Sequence, residues 1–187
     1  MDLRYRLQLC AGLVACAAVS LATPLSAAAA SATATLSAGS LAFVTSPPDV
    51  SFTGTLNGSD QTLSQSQALD VGDATGSGAG WNITATSTTF ATGGGAHLST
   101  SATSVTATPA VACDSGVACT TATNSVSYPY TLPAAGTAPT ATKAFNAVIN
   151  TGLGNQTVTV TWRLAVPAST VAGTYSSTWT LTLASAP

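Results

Sequence analysis

The fold of this chain is decided by the stretch Thr157-Val158-Thr159-Val160-Thr161-Trp162-Arg163-Leu164-Ala165-Val166. Every second residue in it is large and apolar, and the residues between them are Thr, Arg or Ala. A period of two places alternate side chains on opposite faces of a β-strand, with one face buried and the other solvated. The stretch therefore predicts an amphipathic strand.

The same period recurs along the chain, interrupted by Gly- and Pro-containing turns. Asn57-Gly58 predicts a two-residue hairpin turn, and no segment after residue 30 has a helical period. About eight or nine short strands with regular turns are typical of a β-sandwich. We predict an all-β antiparallel sandwich of Ig-like or Greek-key type, with further strands at 50–56, 61–63, 68–71, 81–85, 98–108, 125–132, 144–149 and 175–183.

The low charge of the chain excludes several classes of partner. It has four Lys and Arg and six acidic residues, all of them Asp, and two of the basic residues stand in the first eight positions. Only two basic residues, Lys143 and Arg163, stand after these positions. Two basic side chains cannot neutralise a phosphate backbone, so we expect no nucleic-acid partner. A polybasic membrane-binding patch is excluded for the same reason.

Residues 1–30 have the organisation of a cleaved secretory signal peptide. Arg4 and Arg6 precede an apolar run over 9–22, and a tract of small residues offers cleavage sites between Ala28 and Ala32. The run is too short to span a bilayer comfortably. A lipobox at 13–16 is the alternative. We expect an extracellular domain over 31–187 with no membrane contact after cleavage, held at the cell surface non-covalently.

Two cysteines remain after the leader, which removes Cys10 and Cys16. Cys113 and Cys119 enclose five residues, and two cysteines in an exported domain predict one disulfide. Closing so short a loop is worth about 2 kcal/mol in the chain-entropy model. The bridge is therefore expected to pin a local loop without creating the fold.

Catalytic groups are scarce. His97 is the only histidine and borders a glycine run, so a solvated loop residue is the favoured interpretation over a catalytic base. Asp70 and Asp73 are close enough in sequence to suggest a carboxylate pair or a calcium site, yet Asp beside glycines commonly shapes turns. We expect no enzyme activity, no cofactor and no metal requirement, and the calcium question stays open.

The glycine-rich segment 76–80 precedes a predicted strand and lacks the lysine of a P-loop. A flexible connection between strands is the favoured interpretation. If a ligand site exists near it, the candidate binding loop comprises Asp70, Asp73, Gly76, Gly78 and Gly80.

Two segments suggest a family. The C-terminal segment 173–187, with Trp179-Thr180-Leu181 at its centre, resembles the end of WxL-domain proteins of Gram-positive bacteria. That family carries a second W-x-L motif after an Asp-containing, Gly-rich segment, as Trp81-Asn82-Ile83 stands here after Asp73. The sequence departs from the pattern in having Ile83 for Leu, a third match at 162–164, and a cysteine loop.

The resemblance implies a function. Such domains associate non-covalently with the peptidoglycan of the cell wall, and other surface proteins are further potential partners. The alternative is a structural subunit of a secreted coat or pilus-like assembly, which would polymerise by strand addition.

The tryptophans of the motifs have two interpretations, sugar platforms or core residues. Each Trp shares strand parity with an aliphatic residue two positions away, as Trp81 does with Ile83 and Trp179 with Leu181. A strand places such pairs on the same face. We therefore predict core packing for all four residues, with any binding surface on the outer Thr/Ser faces or on the candidate binding loop.

Overall fold

A computed structural model describes residues 29–186. Most of the predicted signal peptide, together with Cys10 and Cys16, lies outside these residues. Leu36 begins the compact unit that contains every described strand. The ten strands of this unit are β1 (Leu41–Phe43), β2 (Gln61–Asp73), β3 (Trp81–Thr88), β4 (Thr103–Val105), β5 (Ala110–Cys113), β6 (Tyr130–Thr131), β7 (Ala134–Ala135), β8 (Thr142–Ala147), β9 (Gly154–Val166) and β10 (Trp179–Ser185).

The strands form two sheets, which confirms the predicted all-β sandwich-like fold. The first sheet has the order β1-β2-β9-β4-β6, and β5 pairs with the same edge of β9 as β4 does, further along. The second has β3 at its centre, with β10 on one edge and β7 and β8 on the other. All pairings are antiparallel except the short pair of β3 with β7.

The long pairing of β2 with β9 is the main element of the first sheet. It runs without a break from Gln61 opposite Val166 to Asp73 opposite Gly154. The predicted strand at 157–166 is therefore present and extends three residues towards the N-terminus. The two strands predicted at 61–63 and 68–71 are one continuous strand.

The core lies between the sheets and is filled by the inward face of each long strand. Trp162 of β9 is fully buried, and its ring meets that of Trp179 of β10 edge to face, with 4.9 Å between centroids. Trp81 of β3 lies 5.6 Å from Phe145 of β8. Because aromatic pairs in tilted or edge-to-face geometry add to area burial, both contacts stabilise the core, and the Trp162–Trp179 contact also joins the two sheets.

One polar side chain sits among the inward positions of β2. Gln67 is buried, accepts a hydrogen bond from the Trp162 indole nitrogen (2.8 Å), and donates one to the carbonyl of Pro48 (2.7 Å). Its amide is therefore used on both sides, which offsets the cost of burying it. The bond to Pro48 ties the irregular segment 44–60 to the core.

The prediction of a strand at 50–56 and a hairpin at Asn57-Gly58 was wrong. Residues 44–60 form no strand. Pro47 and Pro48 lack the N–H that a ladder requires. The Asn57 side chain accepts the Ser59 N–H (3.0 Å) and forms a local turn instead of a hairpin.

Three other predicted strands are shorter than expected, because side chains take the backbone groups that a ladder would use. Strand 98–108 reduces to β4, since the Ser99 hydroxyl binds the Ser101 N–H (3.2 Å). Strand 125–132 reduces to β6, since Asn146 accepts the Ser125 N–H (2.9 Å). The last strand starts at Trp179, not at 175.

Candidate functional site

Hydrogen bonds and close backbone contacts hold the candidate binding loop in place. Asp73 is buried and accepts both the N–H (2.9 Å) and the hydroxyl (2.6 Å) of Thr75. The Gly78 carbonyl accepts the Asn150 N–H at 2.8 Å. Gly80 has φ of +76°, and a Cβ there would collide with the Ala147 carbonyl oxygen. Asp73 thus closes a turn within the loop, and Gly78 and Gly80 hold the loop against the 147–152 turn.

Gly76 is the open position of that loop. Its φ is +64°, and a Cβ at this position would meet no atom within 4 Å. It supplies a left-handed backbone conformation at the surface, which glycine adopts at little cost.

Asp70 lies away from Asp73, because the two residues have opposite parity on β2. Its pKa is raised by burial and then by the nearby Asp114 carboxylate. Among the described residues its Oδ1 has no hydrogen-bond partner, while Asp114 accepts the Thr157 hydroxyl (3.0 Å). The structure therefore brings Asp70 together with Asp114 on the outer face of the first sheet.

The Asp70–Asp114 pair has few further ligands for a cation. Within residues 29–186 no group of three or more His, Cys, Asp or Glu side chains could hold a metal ion. Calcium takes six to eight oxygen ligands, so the two carboxylates alone do not complete a calcium site.

Cys113 and Cys119 form the predicted disulfide, with their Cα atoms 5.6 Å apart. The bridge closes the loop that carries Asp114. The loop also lies against Gly154, where a Cβ would come within 3.1 Å of the Cys119 Cβ.

The tryptophan side chains of the two motifs pack within the domain. Trp81 and Ile83 are fully buried, and the Trp81 indole donates to the Gly152 carbonyl at 3.0 Å. Trp179 and Leu181 are half-buried and pack against the main core cluster. Trp179 meets both Trp162 and Phe90 edge to face, so its ring packs against the core between the sheets.

A groove that the sequence did not predict lies at the end of the sandwich where β2 begins and β9 ends. Its volume is about 790 Å³. One wall is the irregular segment 50–56, the other is the segment 170–175, and the floor comes from β2, β9 and the residues around Phe90 and Leu98. A groove of this size is within the range of small-ligand sites.

Aromatic rings line both the floor and the walls of the groove. Phe52 and Phe90 meet edge to face at 6.2 Å between centroids, and both rings are half-buried. Tyr175 is also half-buried, and its hydroxyl binds the carbonyl of Val171 in the same wall (2.8 Å). Aromatic surface is therefore left accessible inside a concave site.

The lining of the groove carries no formal charge. Among the described residues that line it there is no Asp, Glu, Lys, Arg or His; between the aromatic and aliphatic side chains stand Ser51, Thr53, Thr55, Gln61 and Thr174. His97 lies in an adjoining pocket of about 250 Å³ that shares the Leu98 and Tyr175 walls. The alternation of Val50, Phe52 and Leu56 was the only sequence signal for this site, and it predicted a strand.

No family model, curated protein or solved structure matches this chain. The likeness to WxL domains therefore rests on the motifs and their placement alone. Within the described range, the structure contains no helix that is long and apolar enough to cross a membrane.

Proposed function

We propose that this chain is an exported surface domain of WxL type that binds the peptidoglycan of the bacterial cell wall non-covalently. It carries no enzyme activity. The observation that carries the proposal is the open, uncharged groove with an aromatic lining. A ligand-binding module requires such a concave surface but no nucleophile or base.

Two further observations support an extracellular location. The Cys113–Cys119 disulfide is typical of proteins that fold in an oxidising compartment. The residues that precede Ala29 have the charge and apolar pattern of a secretory leader.

Sedimentation with isolated Gram-positive cell walls tests the proposal. The purified chain, expressed without residues 1–28, is mixed with washed walls and with microcrystalline cellulose as the control solid. We expect saturable recovery in the wall pellet and none with cellulose. Because the domain has few charges, recovery should persist at high salt. Protein that stays in the supernatant with both solids would contradict wall binding.

A structural subunit of a secreted assembly is the second candidate, and β10 favours it. This strand is at the edge of its sheet and contains no charged residue and no Pro between Trp179 and Ser185. Edge strands without charges or Pro lack the features that commonly block the addition of further strands. Size-exclusion chromatography separates the candidates, since ladders that Thr182→Lys abolishes would support assembly and a single monomer peak would count against it.

A further inference from the structure

The chemistry of the groove restricts its ligand to an uncharged one. A charged group that enters a partly desolvated site needs a partner of opposite charge or a dense set of hydrogen bonds. No formally charged side chain stands among the described lining residues. The anionic polymers of a cell wall would require Lys or Arg, and Lys143 and Arg163 both lie outside the groove.

The walls offer hydrogen-bonding groups that the fold has not used. No backbone-to-backbone hydrogen bond joins segment 50–56 to any other part of the described chain. Only the Thr55 carbonyl is taken, by the Gln61 side chain at 3.0 Å. Backbone N–H and C=O groups need hydrogen-bond partners when a ligand displaces water from them. This wall can therefore bind hydroxyl and amide groups of a ligand.

Aromatic rings in the walls and the floor complement those groups with apolar surface. Phe52, Phe90 and Tyr175 present ring surface between Thr and Ser hydroxyls. A ligand that fits both must carry apolar faces and neutral polar groups in alternation. Pyranose rings do so, with C–H faces between hydroxyl groups, and an acetamido substituent adds a methyl group beside an amide.

We propose that this groove is the wall-binding site and that it takes a neutral, N-acetylated glycan strand rather than the anionic polymers or the peptides of the wall. The location and ligand class rest on the proposed wall-binding function. The two walls, segments 50–56 and 170–175, flank the groove on either side of the ligand.

Charge introduced at the rim tests the site without disturbing the core. Val171 and Leu56 line the groove and are 64% and 40% exposed. Ile149 and Val117 have matching exposures, 62% and 40%, and stand outside the groove. We expect Val171→Glu and Leu56→Glu to weaken binding at least about tenfold, while Ile149→Glu and Val117→Glu bind as the wild type does. All four should keep the wild-type melting temperature.

Three soluble probes identify the ligand class: a tetramer of N-acetylglucosamine, a polyglycerol phosphate and a neutral alanine-rich peptide. Titration is followed by the fluorescence of the tryptophans, since Trp179 contacts Phe90 of the groove floor. Saturable change with the glycan alone, lost in the two rim variants, is the expected result. Saturation by the phosphate polymer or the peptide instead would overturn the ligand class.

The outcomes for the site and for the function are distinguishable. If walls bind the wild type and all four variants equally, the groove is not the site, while wall binding stands. If walls fail to bind the wild type but the glycan tetramer binds in the groove, wall binding fails and the ligand class stands. If neither walls nor glycan bind, both fail.

Discussion

Trp162 and Trp179 meet edge to face, with their ring planes 72° apart, and the contact joins one sheet to the other. The Trp162 indole donates a hydrogen bond to Gln67, which restrains its ring from moving towards a space left by its neighbour. Replacing Trp179 by Ala should therefore leave a cavity between the sheets.

We expect Trp179→Ala to lower the free energy of unfolding by about 3 kcal/mol, the low end for large aromatic truncations because the side chain is only half-buried. Urea denaturation measures it. Thr180→Ala, at an exposed outward position of the same strand, is the control. Lost wall binding with unchanged stability would contradict a core role for Trp179.

Gly152 is required by Trp81. A Cβ at Gly152 would lie 2.5 Å from the Trp81 indole nitrogen and 2.7 Å from the Ala147 Cβ, at φ of +81°. Gly152→Ala should therefore destabilise the domain by more than the backbone cost alone, which is about 1–2 kcal/mol for a left-handed residue.

Gly76→Ala is the matched control for that prediction. Its φ is also positive, at +64°, but no atom lies within 4 Å of the added Cβ. The difference in unfolding free energy between the two variants isolates the collisions with Trp81 and Ala147. Equal losses in the two variants would show that these two neighbours yield without cost.

Asp70 should make stability fall with rising pH. Its pKa in the folded chain is raised above the ordinary value of 3.8 by burial and by Asp114. The native state then holds the proton more tightly than the unfolded chain does. The contribution is fully present below pH 3.8 and is lost as the pH rises through the raised value.

Asp70→Asn should accordingly stabilise the domain at neutral pH, with a gain that vanishes at low pH. Thermal melting across this range measures it. Asp49→Asn removes the same charge from an exposed position and controls for net charge. A gain that is independent of pH would show that charge at Asp70 is not its source.

Reduction of the disulfide should weaken the domain and leave it folded. Cys113 and Cys119 close a short loop, and chain entropy assigns such a loop about 2 kcal/mol. The double variant Cys113→Ser, Cys119→Ser should show that loss in denaturant while keeping the β-sheet circular dichroism of the wild type. An unfolded double variant would mean that the bridge creates the fold.

Strand parity predicted those parts of the fold in which the outward and inward positions differ in polarity. β9 and β3 are of this kind, and both were predicted. β2 was predicted as two strands because its middle reads Ser64-Gln65-Ser66-Gln67, and the inward Gln67 looks like a polar break. The inward position of Gln67 is explained by its hydrogen bond with Trp162, which is 95 residues away in the sequence.

The groove could not be predicted from local patterns for a similar reason. Phe52 and Tyr175 stand on opposite walls but far apart in sequence, and neither segment is a strand. The alternation over 50–56 correctly marks apolar side chains on one side of the backbone. What it cannot show is that the segment has no strand partner and forms one wall of the groove instead. The candidate binding loop was predicted from its glycines. In the structure these glycines adopt the positive φ angles that the turns of the loop require.

The hydrogen bonds of Gln67 have a consequence for binding. Through its amide, the interior restrains Pro48 and hence the start of the groove wall, although that wall has no sheet partner. This restraint acts at the start of the wall, so part of the conformational entropy that a ligand would otherwise have to remove is already lost there. The rest of segment 50–56 has no backbone hydrogen bond to other parts of the described chain, so ligand binding would restrain it further.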